Sequence, residues 1–179
     1  MLRRIAALGL LAVPVAIVAD RLLAAARGGA APEPMRMMVV VDAPIEATWA
    51  VVADIRLQTE WMTEMQDLVV TTTGVTGVGT RGEATVRIAG ISVTDPVEVT
   101  EFQPPHRYAI RHEGLFKGGG LITLEAGAGD ATTVVRWEET LVPPVLPALG
   151  ALVQAPILRA IFQADLERLK RLVEHGSID

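Results

Sequence analysis

The sequence reads Val39-Val-Val-Asp-Ala-Pro-Ile-Glu-Ala-Thr-Trp-Ala-Val-Val-Ala-Asp-Ile-Arg-Leu-Gln-Thr-Glu-Trp-Met62 where a predicted strand passes into a predicted helix. Residues 37–41 are an uninterrupted apolar run rich in β-branched side chains, as expected for a strand. Pro44 suits the start of a helix because its missing N–H needs no partner there. Glu46 places a negative charge in the first turn, which favours the helix dipole. Ile45, Trp49 and Val52 recur at helical spacing, so this face is predicted to enter the core.

Further along the chain, short alternating stretches predict an antiparallel meander. Strands are expected at residues 66–73, 80–89, 92–102, 107–112, 121–125 and 132–142, separated by glycine-rich or proline-rich turns. Residues 118–120, three glycines, are interpreted as a turn or bulge. The remainder is helical, with an apolar stripe from Leu158 to Val173. Pro156 is expected to break or kink that helix, leaving residues 146–154 as a separate turn or short helix.

This order of strand, two helices, six strands and long helix resembles the START-like, or SRPBCC, superfamily. The superfamily includes polyketide cyclase/dehydrase-like lipid-transport proteins and birch-pollen-allergen-like proteins. The resemblance covers residues 36–175 and implies an α+β helix-grip fold, in which a curved antiparallel sheet wraps around a long C-terminal helix. It also implies a ligand cavity between sheet and helix. A closed β-barrel of the lipocalin kind is the alternative, but it would not bracket six strands between helices.

The composition argues against several classes of function. The chain has 179 residues with 16 basic and 21 acidic side chains and no cysteine. An acidic chain without basic clusters is a poor partner for nucleic acid. Without cysteine there are no thiolate zinc sites, and the histidines show no metal-ligand spacing. The two serines, Ser92 and Ser177, lie in no nucleophile elbow. We therefore predict no metal, no cofactor and no nucleic-acid partner; the oligomeric state stays open.

Residues 1–27 form a separate hydrophobic segment. Its uncharged run, residues 5–19, lies between Arg3-Arg4 and Asp20-Arg21, and apolar residues continue to Ala26. Three interpretations fit this pattern: an uncleaved membrane anchor, a cleaved signal peptide or an ordinary helix. The chain is expected to be membrane-anchored by this one helix, or exported. The arginines on its two sides are too even to set its orientation. Residues 28–35 are predicted to be a linker.

The predicted ligand site combines an apolar lining with a few polar groups. His112 shares its strand face with Tyr108, and Asp165 falls inside the apolar stripe of the last helix, where an unpaired carboxylate is costly. Asp165 either pairs with an arginine or caps a sheet end, or it is a pocket carboxylate with a raised pKa and His112 as its preferred partner. The ligand-contacting residues are predicted to be Trp61, Met62, Val86, Ile88, Val99, Tyr108, Ile110, His112, Trp137, Phe162 and Asp165.

Three functions remain open. The resemblance implies a binding module for a hydrophobic small molecule such as a lipid, isoprenoid or polyketide, and this is preferred. The second hypothesis is an enzyme resembling aromatic polyketide cyclases or dehydratases, with His112, Tyr108 and Asp165 as candidate acid/base groups. The third is an interaction protein that presents a surface to a partner. Whether His112 and Asp165 converge on one cavity separates the first two.

Overall fold

A computed structural model of the protein describes residues 2–29, 32–88 and 90–176. Helix α1 precedes the first strand, two short helices follow it, and a long helix ends the chain. The helices are α1 (Leu2–Ala26), α2 (Ile45–Val52), α3 (Gln58–Trp61) and α4 (Pro147–His175). The strands are β1 (Met35–Val41), β2 (Met65–Val70), β3 (Arg81–Ile88), β4 (Ile91–Gln103), β5 (Arg107–His112), β6 (Lys117–Ala126) and β7 (Thr133–Val142).

The seven strands form one curved, open sheet in the order β1-β7-β6-β5-β4-β3-β2, and every neighbouring pair is antiparallel. Strand β1 joins the sheet beside β7, the last strand in sequence, and α4 packs on β1 and β7. Side chains of β1 alternate strictly between buried and exposed, as expected for a strand with one face on the core. The predicted α+β helix-grip architecture is confirmed.

Two local predictions were wrong. Helix α4 runs unbroken through Pro156, so residues 146–154 are not a separate helix. Pro156 has no N–H to donate to the carbonyl of Leu152, four residues earlier. Both residues are exposed, so water can replace the missing hydrogen bond. The glycines at 118–120 lie inside β6 rather than in a turn, and Gly120 pairs with Ile110 on one side and Glu139 on the other.

The N-terminal helix is tied to the last helix by one carboxylate. Asp20 is buried, and its Oδ1 accepts hydrogen bonds from the backbone N–H groups of Ala148 at 2.9 Å and Leu149 at 2.8 Å. These are N–H groups of the first turn of α4, which lack an intrahelical acceptor. Strand β1 already begins at Met35, the last residue of the predicted linker. Within the described part of the chain, no helix is both long enough and apolar enough to cross a membrane.

Candidate functional site

The residues predicted to contact ligand fall into two groups. Those buried in the core between the sheet and α4 are Trp61, Met62, Val99, Tyr108, Trp137, Phe162 and Asp165. Those only partly buried are Val86, Ile88, Ile110 and His112. The concave side of the sheet therefore holds a packed core, with little space left between sheet and helix.

A small cleft remains inside this core. It is lined by Gln58, Met62, Tyr108, Ile110, Gly120, Ile122 and Trp137. Its free volume is about 10 Å³, which is about the room that one water molecule needs. Four of the predicted residues line it: Met62, Tyr108, Ile110 and Trp137. The rest of the predicted set lies elsewhere in the core or toward its rim.

Aromatic rings form one wall of the site. Trp61 and Trp137 meet edge to face with centroids 5.9 Å apart, and Phe162 of α4 stacks at a tilt on Trp137 at 4.8 Å. Trp61 Nε1 is buried and has no acceptor among the described residues. A buried donor without a partner is costly, so this N–H would gain from an oxygen supplied by a bound molecule.

Tyr108 provides a second polar group. Its hydroxyl oxygen accepts from Gln58 Nε2 at 3.3 Å. Burial is the main cause that raises the pKa of Tyr108 well above its usual range, because desolvation disfavours the phenolate. Tyr108 therefore stays protonated near neutral pH. Its O–H can donate to a ligand oxygen, whereas its oxygen cannot serve as a base.

The sequence analysis missed Glu139, the polar centre of this wall. Glu139 is 2% exposed; its Oε2 accepts from Trp137 Nε1 at 3.0 Å, and its Oε1 lies 3.2 Å from His112 Nε2. Gly120, opposite on β6, makes the space for this side chain. A Cβ at Gly120 would collide with Glu139 Oε2 and lie 3.1 Å from Trp137 Nε1. Period-two alternation from Trp137 was the available signal, since it places Glu139 on the same inward face.

The predicted pairing of Asp165 with His112 is wrong. Asp165 is completely buried, and its Oδ1 accepts from the backbone N–H of Thr63 at 2.9 Å and from Thr63 Oγ1 at 3.0 Å. His112 instead contacts Glu139. The Asp165 carboxylate of α4 thus binds the turn between α3 and β2. It neither pairs with an arginine nor caps a sheet end.

A second carboxyl group, Glu64, meets Asp165 in the core. Burial raises the pKa of Glu64 to about 8, and the neighbouring Asp165 adds to the shift, with a smaller contribution from Glu139. Glu64 Oε2 and Asp165 Oδ2 are both buried without any other hydrogen-bond donor in the described chain. One proton shared between the two carboxyls satisfies both oxygens. Among the described residues, no group of three or more acidic or histidine side chains is arranged to hold a metal ion.

Three residues of this polar set escaped prediction for a common reason. Gln58 lies in α3, Glu64 in the turn before β2 and Gly120 in β6, and each acts on a partner distant in sequence. Nothing in their own sequence neighbourhood distinguishes them from surface or turn residues.

The fold and this buried polar wall can be compared with known proteins. The family described as polyketide cyclase / dehydrase and lipid transport matches residues 35–174. The chain belongs to this family. A comparison with curated proteins found no match. Within the polyketide cyclase/dehydrase and lipid-transport family, the match covers the sheet and α2 to α4 almost completely, while α1 lies before it.

Solved structures share the fold at low sequence identity. TTHA0849 from Thermus thermophilus is 19% identical with a TM-score of 0.65, over 81% of this chain and 99% of that one. DR_A0006 from Deinococcus radiodurans is 23% identical with a TM-score of 0.61, over 81% and 99%. The di-domain ARO/CYC BexL from the BE-7585A biosynthetic pathway is 17% identical with a TM-score of 0.64, over 80% of this chain and 47% of BexL. At these identities the likeness establishes the fold alone.

Proposed function

We propose that the domain binds a hydrophobic small molecule, such as a lipid, an isoprenoid or a polyketide, between the sheet and α4. The observation that carries this proposal is the cleft itself, where an apolar lining meets buried hydrogen-bond donors. Small-molecule sites commonly combine these two features. The family to which the chain belongs also supports it.

The buried donors favour a ligand that carries an oxygen atom. The Tyr108 O–H has no protein acceptor within the described chain, and Trp61 Nε1 has none either. A carbonyl, ester or hydroxyl oxygen in the cleft would satisfy the Tyr108 O–H, since Tyr108 lines it, whereas a pure hydrocarbon would leave that donor unpaired. We therefore expect tighter binding of a fatty acid or ketone than of an alkane of equal length.

Entry of such a ligand requires side chains to move, because the cleft holds no more than a water molecule. Met62 lines the cleft and lies at the end of α3. Its unbranched thioether adapts to different shapes at low cost. The ligand is thus expected to displace Met62 and widen the space between α3 and the sheet.

Binding of a fluorescent fatty acid tests the proposal. The probe 11-(dansylamino)undecanoic acid should increase in emission with the protein, and unlabelled fatty acid should displace it. Ile110→Trp should fill the cleft and lower probe affinity at least about tenfold, because Ile110 lines it. Val75→Trp is the matched control, since Val75 is exposed between β2 and β3. Equal probe binding by both variants, or none by the wild type with probes of several sizes, would refute a ligand site in this cleft.

A second candidate is a polyketide cyclase or dehydratase. The Glu64–Asp165 pair favours it, because the raised pKa keeps a proton on Glu64 near neutral pH, as a general acid requires. A synthetic poly-β-ketone thioester would be incubated with the protein and its products analysed by mass spectrometry. This hypothesis expects faster ring closure or loss of water that Glu64→Gln abolishes. Product formation equal to that in buffer would exclude the activity for that substrate.

Attachment to a membrane through residues 1–27, or export, remains a prediction. Fractionation of cells that express the full chain, followed by mass measurement of the mature protein, separates an intact N-terminal segment from a cleaved one.

A further inference from the structure

Helices α1 and α4 expose an unusual amount of apolar surface. The side chains of this α1–α4 face are all more than half exposed: Val15, Val18, Leu22, Leu152, Val153 and Ile157. On α1 they repeat at intervals of three and four residues and so share one side of the helix. Contiguous exposed apolar side chains of this size mark interaction or membrane surfaces.

Helices α1 and α4 pack against each other, and Asp20 joins them. Its carboxylate accepts from the backbone N–H groups of Ala148 and Leu149 at the start of α4. Asp20 is the acidic residue nearest the apolar side chains of α1, and this contact buries it. The contact neutralises part of the helix dipole and removes a negative charge from the face.

On the two helix segments themselves, the exposed charges are positive. Residues 14–29 and 145–163 contain three exposed charged side chains, Arg21, Arg27 and Arg159, and no exposed carboxylate. The chain as a whole is acidic, with a net charge of −5. A second copy of the chain would bring like-charged arginines together in a symmetric interface. An anionic lipid surface would instead attract them while its acyl region receives the apolar side chains.

We propose that α1 and the N-terminal half of α4 lie together on an anionic lipid surface. The apolar side chains enter the boundary between headgroups and acyl chains, and the arginines contact lipid phosphates. The inner side of the same half of α4 lines a second cleft through Ala151 and Ala155, and this cleft reaches Glu139. The half of α4 that docks therefore also borders this cleft. The docking itself does not depend on ligand binding in the cleft between the sheet and α4.

Vesicle flotation of the full chain tests this proposal. The protein is mixed with vesicles of phosphatidylcholine alone or with 30 mol% phosphatidylglycerol, at low and high salt. We expect stronger flotation with the anionic vesicles, and a decrease at high salt because screening weakens the arginine contacts. Val153→Asp combined with Ile157→Asp should lower the bound fraction on anionic vesicles about tenfold or more. Arg159→Glu should lower it several-fold on anionic vesicles and leave neutral vesicles unaffected.

The matched control is Val75→Asp combined with Ile91→Asp, which changes two apolar residues outside the face that are even more exposed. Its flotation should equal that of the wild type, and thermal melts should show that all variants fold. Equal flotation of the α4 variant and the wild type would overturn the proposal, because α1 alone would then carry membrane binding. A dimer in sedimentation velocity that the α4 variant disrupts, without vesicle binding, would assign the face to a second copy. Binding of the dansylated fatty acid in the cleft between the sheet and α4 is measured on the same variants. Failure of membrane docking and failure of the ligand site are then distinguishable.

Discussion

The two halves of α4 on either side of Pro156 depart from the usual polarity in opposite ways. The first half exposes Leu152 and Val153 to solvent, whereas the second half buries the carboxyl group of Asp165 completely. The second arrangement costs folding free energy because a carboxyl leaves water, whereas the first forgoes the gain from burying apolar surface. Such departures are expected at sites that serve binding rather than folding. The comparison therefore points to two functional regions on a single helix.

The two regions also differ in how the structure compensates for the cost. Asp165 receives two hydrogen bonds from Thr63 and lies beside Glu64, whose raised pKa keeps a proton on that neighbouring carboxyl near neutral pH. The exposed apolar residues of the first half have no equivalent compensation within the described chain. The buried region is thus expected to respond strongly to substitution in stability measurements, and the exposed region in vesicle binding.

The largest effect is expected for Asp165→Leu. Leucine is larger than aspartate and leaves the Thr63 N–H and hydroxyl without an acceptor, so the unfolding free energy should fall by about 3 kcal/mol. Asp165→Asn is the matched control, because its oxygen can still accept from Thr63 and its amide can donate to Glu64. Urea unfolding at pH 7 measures both. If the leucine variant were as stable as the wild type, the tether to the α3–β2 turn would carry no stabilisation.

Gly120→Ala should have the next largest effect. The added methyl group collides with Glu139 and approaches Trp137 Nε1, and such overpacking costs about 2 kcal/mol. Probe affinity should fall as well, because Gly120 lines the cleft. Gly77→Ala is the control, since a Cβ there meets no atom within 4 Å. Equal losses at both glycines would show that the effect is generic and unrelated to the polar wall.

The buried proton predicts how stability depends on pH. The pKa of Glu64 is about 8 in the folded protein and ordinary, 4.5, in the unfolded chain. Between these values the folded state binds the extra proton, so its stabilisation is complete below pH 4.5 and is lost as the pH rises through 8. From pH 6 to pH 7 the loss from this group should be about 1 kcal/mol.

Glu64→Gln isolates this contribution from those of the other titratable groups. Urea unfolding of both proteins at pH 5, 6, 7 and 8 should show the wild type losing stability relative to the variant as the pH rises. A difference that stays constant across these values would mean that Glu64 is ionised in the folded protein and that no proton is shared with Asp165.

The smallest effect on stability is expected in the exposed half. Val153→Gln should change the unfolding free energy by less than about 0.5 kcal/mol, because the side chain is exposed. Leu169→Ala, in the buried half, should cost about 3 kcal/mol by leaving a cavity. A large loss for Val153→Gln in thermal or urea unfolding would mean that this side chain is covered in solution.

The order of elements and the fold could be predicted from the sequence because both depend on local patterns. Alternation along residues 107–112 matched β5 to the residue, and the apolar run before Asp42 became β1. Hydrophobic period and composition are properties of neighbouring residues, so they can be recognised without tertiary information. The same reasoning placed Asp165 in the buried stripe of the last helix, and its complete burial confirms that placement.

Tertiary structure alone decided which polar groups meet. Asp165 bonds to Thr63, 102 residues earlier, and Asp20 caps a helix 128 residues later. Pro156 stayed helical because the carbonyl that it leaves unpaired belongs to Leu152, an exposed residue, and three glycines became strand because β5 and β7 lie on both sides of them. A buried carboxylate must find a donor or share a proton, but any of several residues can supply it. The sequence therefore determined that Asp165 needed a partner, and only the packing of α3 and β2 against α4 determined that Thr63 and Glu64 would be that partner.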